Sequence, residues 1–113
     1  MTIRIEKKVQ DGVHIFEISG TLTDEAGLVR ITREVLDGEV VGLVFDLHEV
    51  DMITSSGLAD LVQIKARCNS LNLPMLLASP TAFVMGVLET TKLIGFFDVH
   101  ERLDEAIAAV KAG

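Results

Sequence analysis

Val40-Val41-Gly42-Leu43-Val44-Phe45-Asp46, followed after a short interval by Thr54-Ser55-Ser56-Gly57-Leu58, sets the architecture. The first part is a continuous apolar run rich in β-branched residues, the pattern of a strand buried on both faces, and Asp46 closes it. The second part opens a helix. Leu61, Ile64, Cys68 and Leu71 share one helical face, and Asn72 marks its end. A buried strand feeding an amphipathic helix is the core of a parallel β-α-β unit.

The flanks extend this unit in both directions. Ile3-Arg4-Ile5-Glu6 alternates as a half-buried strand, and Val13 to Ile18 is a second β-rich run. Asp11-Gly12 between them is a hairpin signal, so these two strands are expected antiparallel, with Gly20 ending the second. From about Asp24 the period turns helical, with Leu28, Ile31 and Val35 on one face and Gly38 as the stop. Downstream, Pro74 introduces a strand, Met75 to Ala78. Pro80-Thr81 then caps a third helix running to about Leu93. Phe97-Asp98-Val99 reads as a short edge strand, and Leu103, Ala106, Ile107 and Val110 form the stripe of a closing helix. The order β-β-α-β-α-β-α-β-α predicts one α/β domain over residues 1–113. Its sheet should be mixed and mostly parallel, of about five strands, with an antiparallel N-terminal hairpin and about four helices.

Composition narrows the function classes. Apolar residues make up 49% of the 113, enough for one packed core. The net charge of −7 repels phosphate backbones and anionic membrane surfaces. Lys7-Lys8 and the pair Lys65 and Arg67 are the nearest approach to a basic patch, so no direct nucleic-acid binding is expected. Without Trp or Tyr there is no aromatic platform for bases or sugars. Cys68 is the single cysteine, which excludes an internal disulfide and a cysteine zinc cluster, and it reads as a small buried hydrophobe. The charged N-terminal stretch is neither a signal peptide nor a membrane span, and a cytoplasmic location is expected.

In sheets of this kind, function gathers where strand C-termini meet helix N-termini. Thr54, Ser55 and Ser56 sit there. Capping accounts for one hydroxyl, at roughly 0.5–2 kcal/mol, but does not require three in a row followed by Gly57. The other reading is a phosphorylation or anion site, because the free N–H groups and dipole of a helix start favour negative charge. A phosphoryl group at Ser56 would add about −1.5 to −2 charges there.

The turn Thr54-Ser55-Ser56-Gly57-Leu58 resembles the Asp-Ser-Ser-Gly-Leu signature of the STAS family, named for sulfate transporters and anti-sigma factor antagonists. Gly20-Thr21-Leu22 resembles the family's Gly-x-Leu-Asp, and Phe97-x-Val99 with Glu105-Ala106 resembles its C-terminal end, so the likeness covers nearly the whole chain. The resemblance implies a stand-alone anti-anti-sigma factor: a regulatory binding module, not an enzyme, needing no cofactor. Its partner would be an anti-sigma factor with serine kinase activity. Ser56 matches the phosphorylated serine, with Ser55 and Thr54 as alternatives, and Gly57 the glycine that lets the partner approach. Thr23, Asp24, Thr54, Ser55, Ser56 and Gly57, with Phe83 and Met85 of the third helix, form the expected docking face. On that helix Val84, Val87 and Leu88 are expected to point inward. Two departures stand out: the family's acids are Thr54 and Thr23 here, with Asp24 one place late. The alternative implied by the same family is a constitutive accessory subunit of a transporter of the lipid-handling ABC type, or of a sensory scaffold.

Rival chemistries find less support. Ile53 stands where a nucleophile elbow needs its first glycine, and His14, His48 and His100 have no triad spacing with the serines. His48, Glu49 and Asp51 are metal-ligand types, but read as a solvated loop with no ligand motif, so no metal site is expected. No glycine-rich phosphate loop occurs.

Overall fold

The structure, a computed structural model, describes residues 3–113. The chain runs β1 (Arg4–Gln10), β2 (Val13–Leu22), a single 3-10 turn (Asp24–Ala26), α1 (Leu28–Leu36), β3 (Gly42–Ile53), α2 (Ser55–Ser70), β4 (Met75–Ala78), α3 (Ala82–Thr90), β5 (Asp98–His100) and α4 (Leu103–Ala112). The five strands lie in the order β1-β2-β3-β4-β5, with β1 antiparallel to β2 and every other pair parallel. Asp11 and Gly12 both take positive φ, 52° and 82°, as a two-residue hairpin turn demands.

Each right-handed crossover advances one strand in the same direction, which puts α1, α2 and α3 on one face of the sheet. There they bury the larger core, including Phe16, Leu43, Phe45, Leu61 and Leu77. Phe16 and Phe45 pair directly across β2 and β3, with rings stacked 5.0 Å apart. The helix α4, after the last strand, swings under the opposite face and covers Val13, Ile15, Val44, Leu76 and Ala78. Among the described residues no helix is long and apolar enough to cross a membrane.

Several expectations are corrected. β2 does not end at Gly20 but continues to Leu22, and β3 does not close at Asp46 but runs to Ile53. The two extensions pair with each other, Leu22 opposite Ile53, through two register shifts at which β3 carries one extra residue. Those bulges put Leu47, Val50 and Ile53 inside at a spacing of three, which hides the period of two. His48, Glu49 and Asp51 therefore stand on a strand, not in a loop. The helix α1 begins at Leu28, since the acidic Asp24–Ala26 segment makes its own turn. Thr32 replaces Ile31 as the fully buried residue, its hydroxyl donating to Leu28 O at 3.0 Å. Leu71 caps α2 and is exposed rather than buried. The helix α3 stops at Thr90, because Lys92 turns left-handed and Leu93 N–H returns to Leu88 O at 2.8 Å.

Two basic residues lose their apparent freedom. Lys8 pairs with Glu17 at 2.9 Å. Lys65 is buried, its ammonium 3.4 Å from both Met75 O and the Asp98 carboxylate on β5. Cys68 is fully buried, as a hydrophobe would be, and burial pushes its thiol pKa up.

Candidate functional site

β2 and β3 end side by side, and the chain leaving each contributes to one cluster. Leu22 passes into Thr23, which caps the acidic turn: its hydroxyl accepts from Glu25 N–H at 3.1 Å. This places the Asp24 side chain toward the start of α2. From the β3 end, Thr54 N–H donates to Leu22 O at 3.0 Å, fixing the entry into α2. Thr54 Oγ1 accepts from Gly57 N–H at 3.1 Å, so Thr54 is the cap.

The sequence left open which hydroxyl caps and which is free. Thr54 Oγ1 also lies 3.0 Å from Ser56 Oγ and 3.3 Å from Leu22 O, and Ser56 Oγ donates to Asp24 Oδ1 at 3.2 Å. Two hydroxyl protons face three acceptors. Leu22 O already has the Thr54 N–H, so every acceptor is served when Thr54 donates to Ser56 and Ser56 to Asp24. The chain of donors ends on a carboxylate, which polarises the Ser56 oxygen. Ser55 is exposed, and Ser56 and Thr54 are half-buried. None is sealed in the core.

Asp24, one place beyond where the family's acid was expected, thus reaches Ser56. The turn that Thr23 caps carries Asp24 to that position. A second carboxylate joins it. Asp60, half-buried one helical turn after Ser56, has its pKa pushed up by burial and by the charge of Asp24. Ser56 and Asp60 are four residues apart on one helix, but nothing in the sequence showed that Asp24 would face them.

Gly57 packs closely against its own chain. It is buried, and a Cβ there would collide with the Leu22 carbonyl oxygen while lying 2.8 Å from its carbon and 3.2 Å from Thr23 Cα. The glycine lets α2 close onto β2 of its own chain.

The helix α3 starts at the same end of the sheet. Its cap, Thr81, donates to Val50 O at 3.0 Å, which ties the helix to β3. Val84 and Leu88 are buried, Val87 and Met85 half-buried, and Phe83 is 46% exposed. Met52, at the end of β3, is 45% exposed and adds an apolar side chain that sequence reading passed over. His48 belongs elsewhere: its ring is 2.9 Å from Asp46 and 3.4 Å from Glu49, and the Asp46 hydrogen bond raises its pKa.

Comparison with known proteins gives a coherent picture. The sequence model of the STAS domain matches residues 4–106. No curated protein matches the sequence. Among solved structures, an anti-sigma factor antagonist from Mycobacterium paratuberculosis superposes with a TM-score of 0.81 at 22% identity, over 97% of this chain and 95% of that one. The anti-sigma factor antagonist SpoIIAA in its unphosphorylated form superposes with a TM-score of 0.81 at 16% identity, over 99% and 98%. The phosphorylated form, from Bacillus, gives 0.72 at 17%, over 96% and 99%. A sulfate transporter family protein from Wolinella succinogenes gives 0.77 at 24%, over 94% and 90%.

Proposed function

The chain belongs to the STAS domain family, and from that premise we propose that it is a regulatory protein-binding module of the anti-anti-sigma type, switched by phosphorylation at Ser56. In this reading residues 1–113 form one domain in the cytoplasm, and the partner is an anti-sigma factor with serine kinase activity. The partner docks on the end of the sheet where Ser55, Ser56, Asp24, Phe83 and Met52 are accessible.

The observation that carries the reading is the Thr54–Ser56–Asp24 chain of hydroxyls ending on a carboxylate. Capping consumes Thr54 and leaves Ser56 as an oriented nucleophile. In the proposed step Ser56 Oγ bonds to the γ-phosphorus of ATP held by the kinase. The bond to the β-phosphate oxygen breaks, ADP leaves, and the hydroxyl proton passes to a base. The product carries about −1.5 to −2 charges next to Asp24 and Asp60. A partner seated on this face would have to bury that charge, and a hundredfold loss of affinity needs only about 2.7 kcal/mol.

The test is intact-mass analysis of the chain with a cognate anti-sigma kinase and ATP. One phosphoryl group is expected on the native chain, none on Ser56→Ala, and slower transfer to Asp24→Asn. Transfer to Ser56→Ala at the native rate would move the site to Ser55 or Thr54. No transfer to any form would remove the switch.

A constitutive accessory subunit is the second reading, favoured by the likeness to the Wolinella sulfate transporter family protein. The absence of acids at positions 23 and 54 also spoke for it, and the approach of Asp24 to Ser56 weakens that argument. Purification from cells separates the two: a transporter ATPase partner bound equally by Ser56→Ala and Ser56→Asp would favour the subunit.

A further inference from the structure

We propose that the groove between α1 and α2 is a binding site for a small phosphate monoester with an apolar body. The groove has a volume of about 410 Å³ and is lined by Arg33 of α1 and Arg67 of α2, with the apolar Val29, Leu36 and Ile64 beside the polar Thr32 and Gln63. That volume falls in the range of small-molecule sites, which combine an apolar floor with a few convergent polar groups.

The two arginines come from different helices and line the same groove. The chain has a net charge of −7, so acids are plentiful, and Arg4, Lys8, Lys65, Arg102 and Lys111 each have an acidic partner. Among the described residues Lys7, Arg30, Arg33, Arg67 and Lys92 have none; of these, the exposed Arg33 and Arg67 line one groove, which Asp37 also lines. Each arginine lies in the last turn of its helix, where a cation offsets the negative helix end. That accounts for one guanidinium on each helix. It does not account for both lining one concave space.

Guanidinium is planar, weakly hydrated and shaped to hold two oxygens at once, and two of them suit a dianionic head. Val29, Leu36 and Ile64 in the lining give a head carried on a hydrophobic body contacts that a free inorganic ion would not use. Asp37 opposes the pair with a single negative charge. The groove lies toward the far end of α2 from Ser56, roughly 16 Å along the helix between Ser56 and Arg67. The inference does not rest on the Ser56 reading.

The test is a titration of the full chain with phenyl phosphate, followed by amide NMR shifts, with inorganic phosphate and benzyl alcohol as separate arms. Saturable shifts are expected at Leu36, Asp37, Gln63, Ile64 and Arg67, with both control ligands weaker. The double variant Arg33→Gln/Arg67→Gln should bind at least about tenfold more weakly while keeping native spectral dispersion. Asp37→Asn should bind more tightly, and Arg30→Gln, outside the groove, should match the native chain. The site is refuted by absence of saturation, by benzyl alcohol binding as well as phenyl phosphate, by undiminished binding to the double variant, or by shifts confined to the Ser56 end of α2.

Discussion

The starts of α2 and α3 can be compared position by position. Each has a threonine cap whose hydroxyl accepts from the amide three residues on, Gly57 at 3.1 Å and Val84 at 3.3 Å. Each cap hydroxyl also lies within hydrogen-bond distance of a carbonyl on a neighbouring strand, Leu22 O at 3.3 Å and Val50 O at 3.0 Å. The next three residues then diverge: Ser55-Ser56-Gly57 in one helix, Ala82-Phe83-Val84 in the other. The shared part is a structural device that docks a helix on a sheet. What α2 adds to it, a serine directed at a carboxylate and a glycine pressed on β2, is the part that a cap does not need.

The sharpest break of the comparison is at glycine. Gly57→Ala drives a methyl group into the Leu22 backbone, which cannot step aside without disturbing the β2–β3 pairing. A loss of at least about 3 kcal/mol is expected, enough to leave much of the chain unfolded. Gly86 within α3 has open space around its missing Cβ, so Gly86→Ala should gain up to about 1 kcal/mol from helix propensity. Urea unfolding of the two variants checks both signs, and a mild effect at Gly57 would mean that α2 can lift off β2.

Removing the caps should give matched losses. Thr54→Ala and Thr81→Ala are each expected to cost about 1–2 kcal/mol, since each removes a capping acceptor and the hydrogen bond its hydroxyl donates, to Ser56 in α2 and to Val50 O in β3. Thr54→Ser should recover most of the loss. If Thr54→Ala proved neutral while Thr81→Ala did not, Ser56 would have taken over as cap and the division of labour at α2 would fall.

Ser56 and Phe83 occupy equivalent second positions in the two helices, and both substitutions to alanine should leave stability within roughly 1 kcal/mol. Their effects should appear instead in partner affinity, with Phe83→Ala losing about 1–2 kcal/mol if the exposed ring is an anchor. Calorimetric titration with the partner decides it: full affinity in Phe83→Ala would confine docking to the α2 side.

The fold was legible wherever periodicity and turn chemistry agreed: the Asp11-Gly12 hairpin, the buried strand at Leu43 to Phe45, the cap at Thr81. It was obscured where two elements negotiate with each other. The bulges of β3 exist only because β2 lies beside it, so the inward spacing of Leu47, Val50 and Ile53 resembles neither strand nor helix. The same holds at the site. The serines and Gly57 could be singled out from their positions, but Gly57's inward role and Asp24's reach to Ser56 depend on where the Thr23 turn folds across α2.

The smallest effect probes that reach most directly. Asp60 has a raised pKa in the folded chain, from burial first and the Asp24 charge second, against an ordinary value of 3.8. A carboxylic acid shifted up favours folding only while protonated. Its contribution is full below pH 3.8 and is lost as pH rises through the folded value. At neutral pH Asp60→Asn should therefore be slightly more stable than the native chain, by less than about 1 kcal/mol, and the advantage should vanish in acid. Asp24→Asn should lower the Asp60 midpoint, read by carboxyl NMR, while leaving the burial contribution in place. Phosphorylation of Ser56, one turn away on the same face, should raise it further. If the midpoint ignored both changes, Asp24 would not face α2 in solution, and the carboxylate that distinguishes this helix start from that of α3 would be elsewhere.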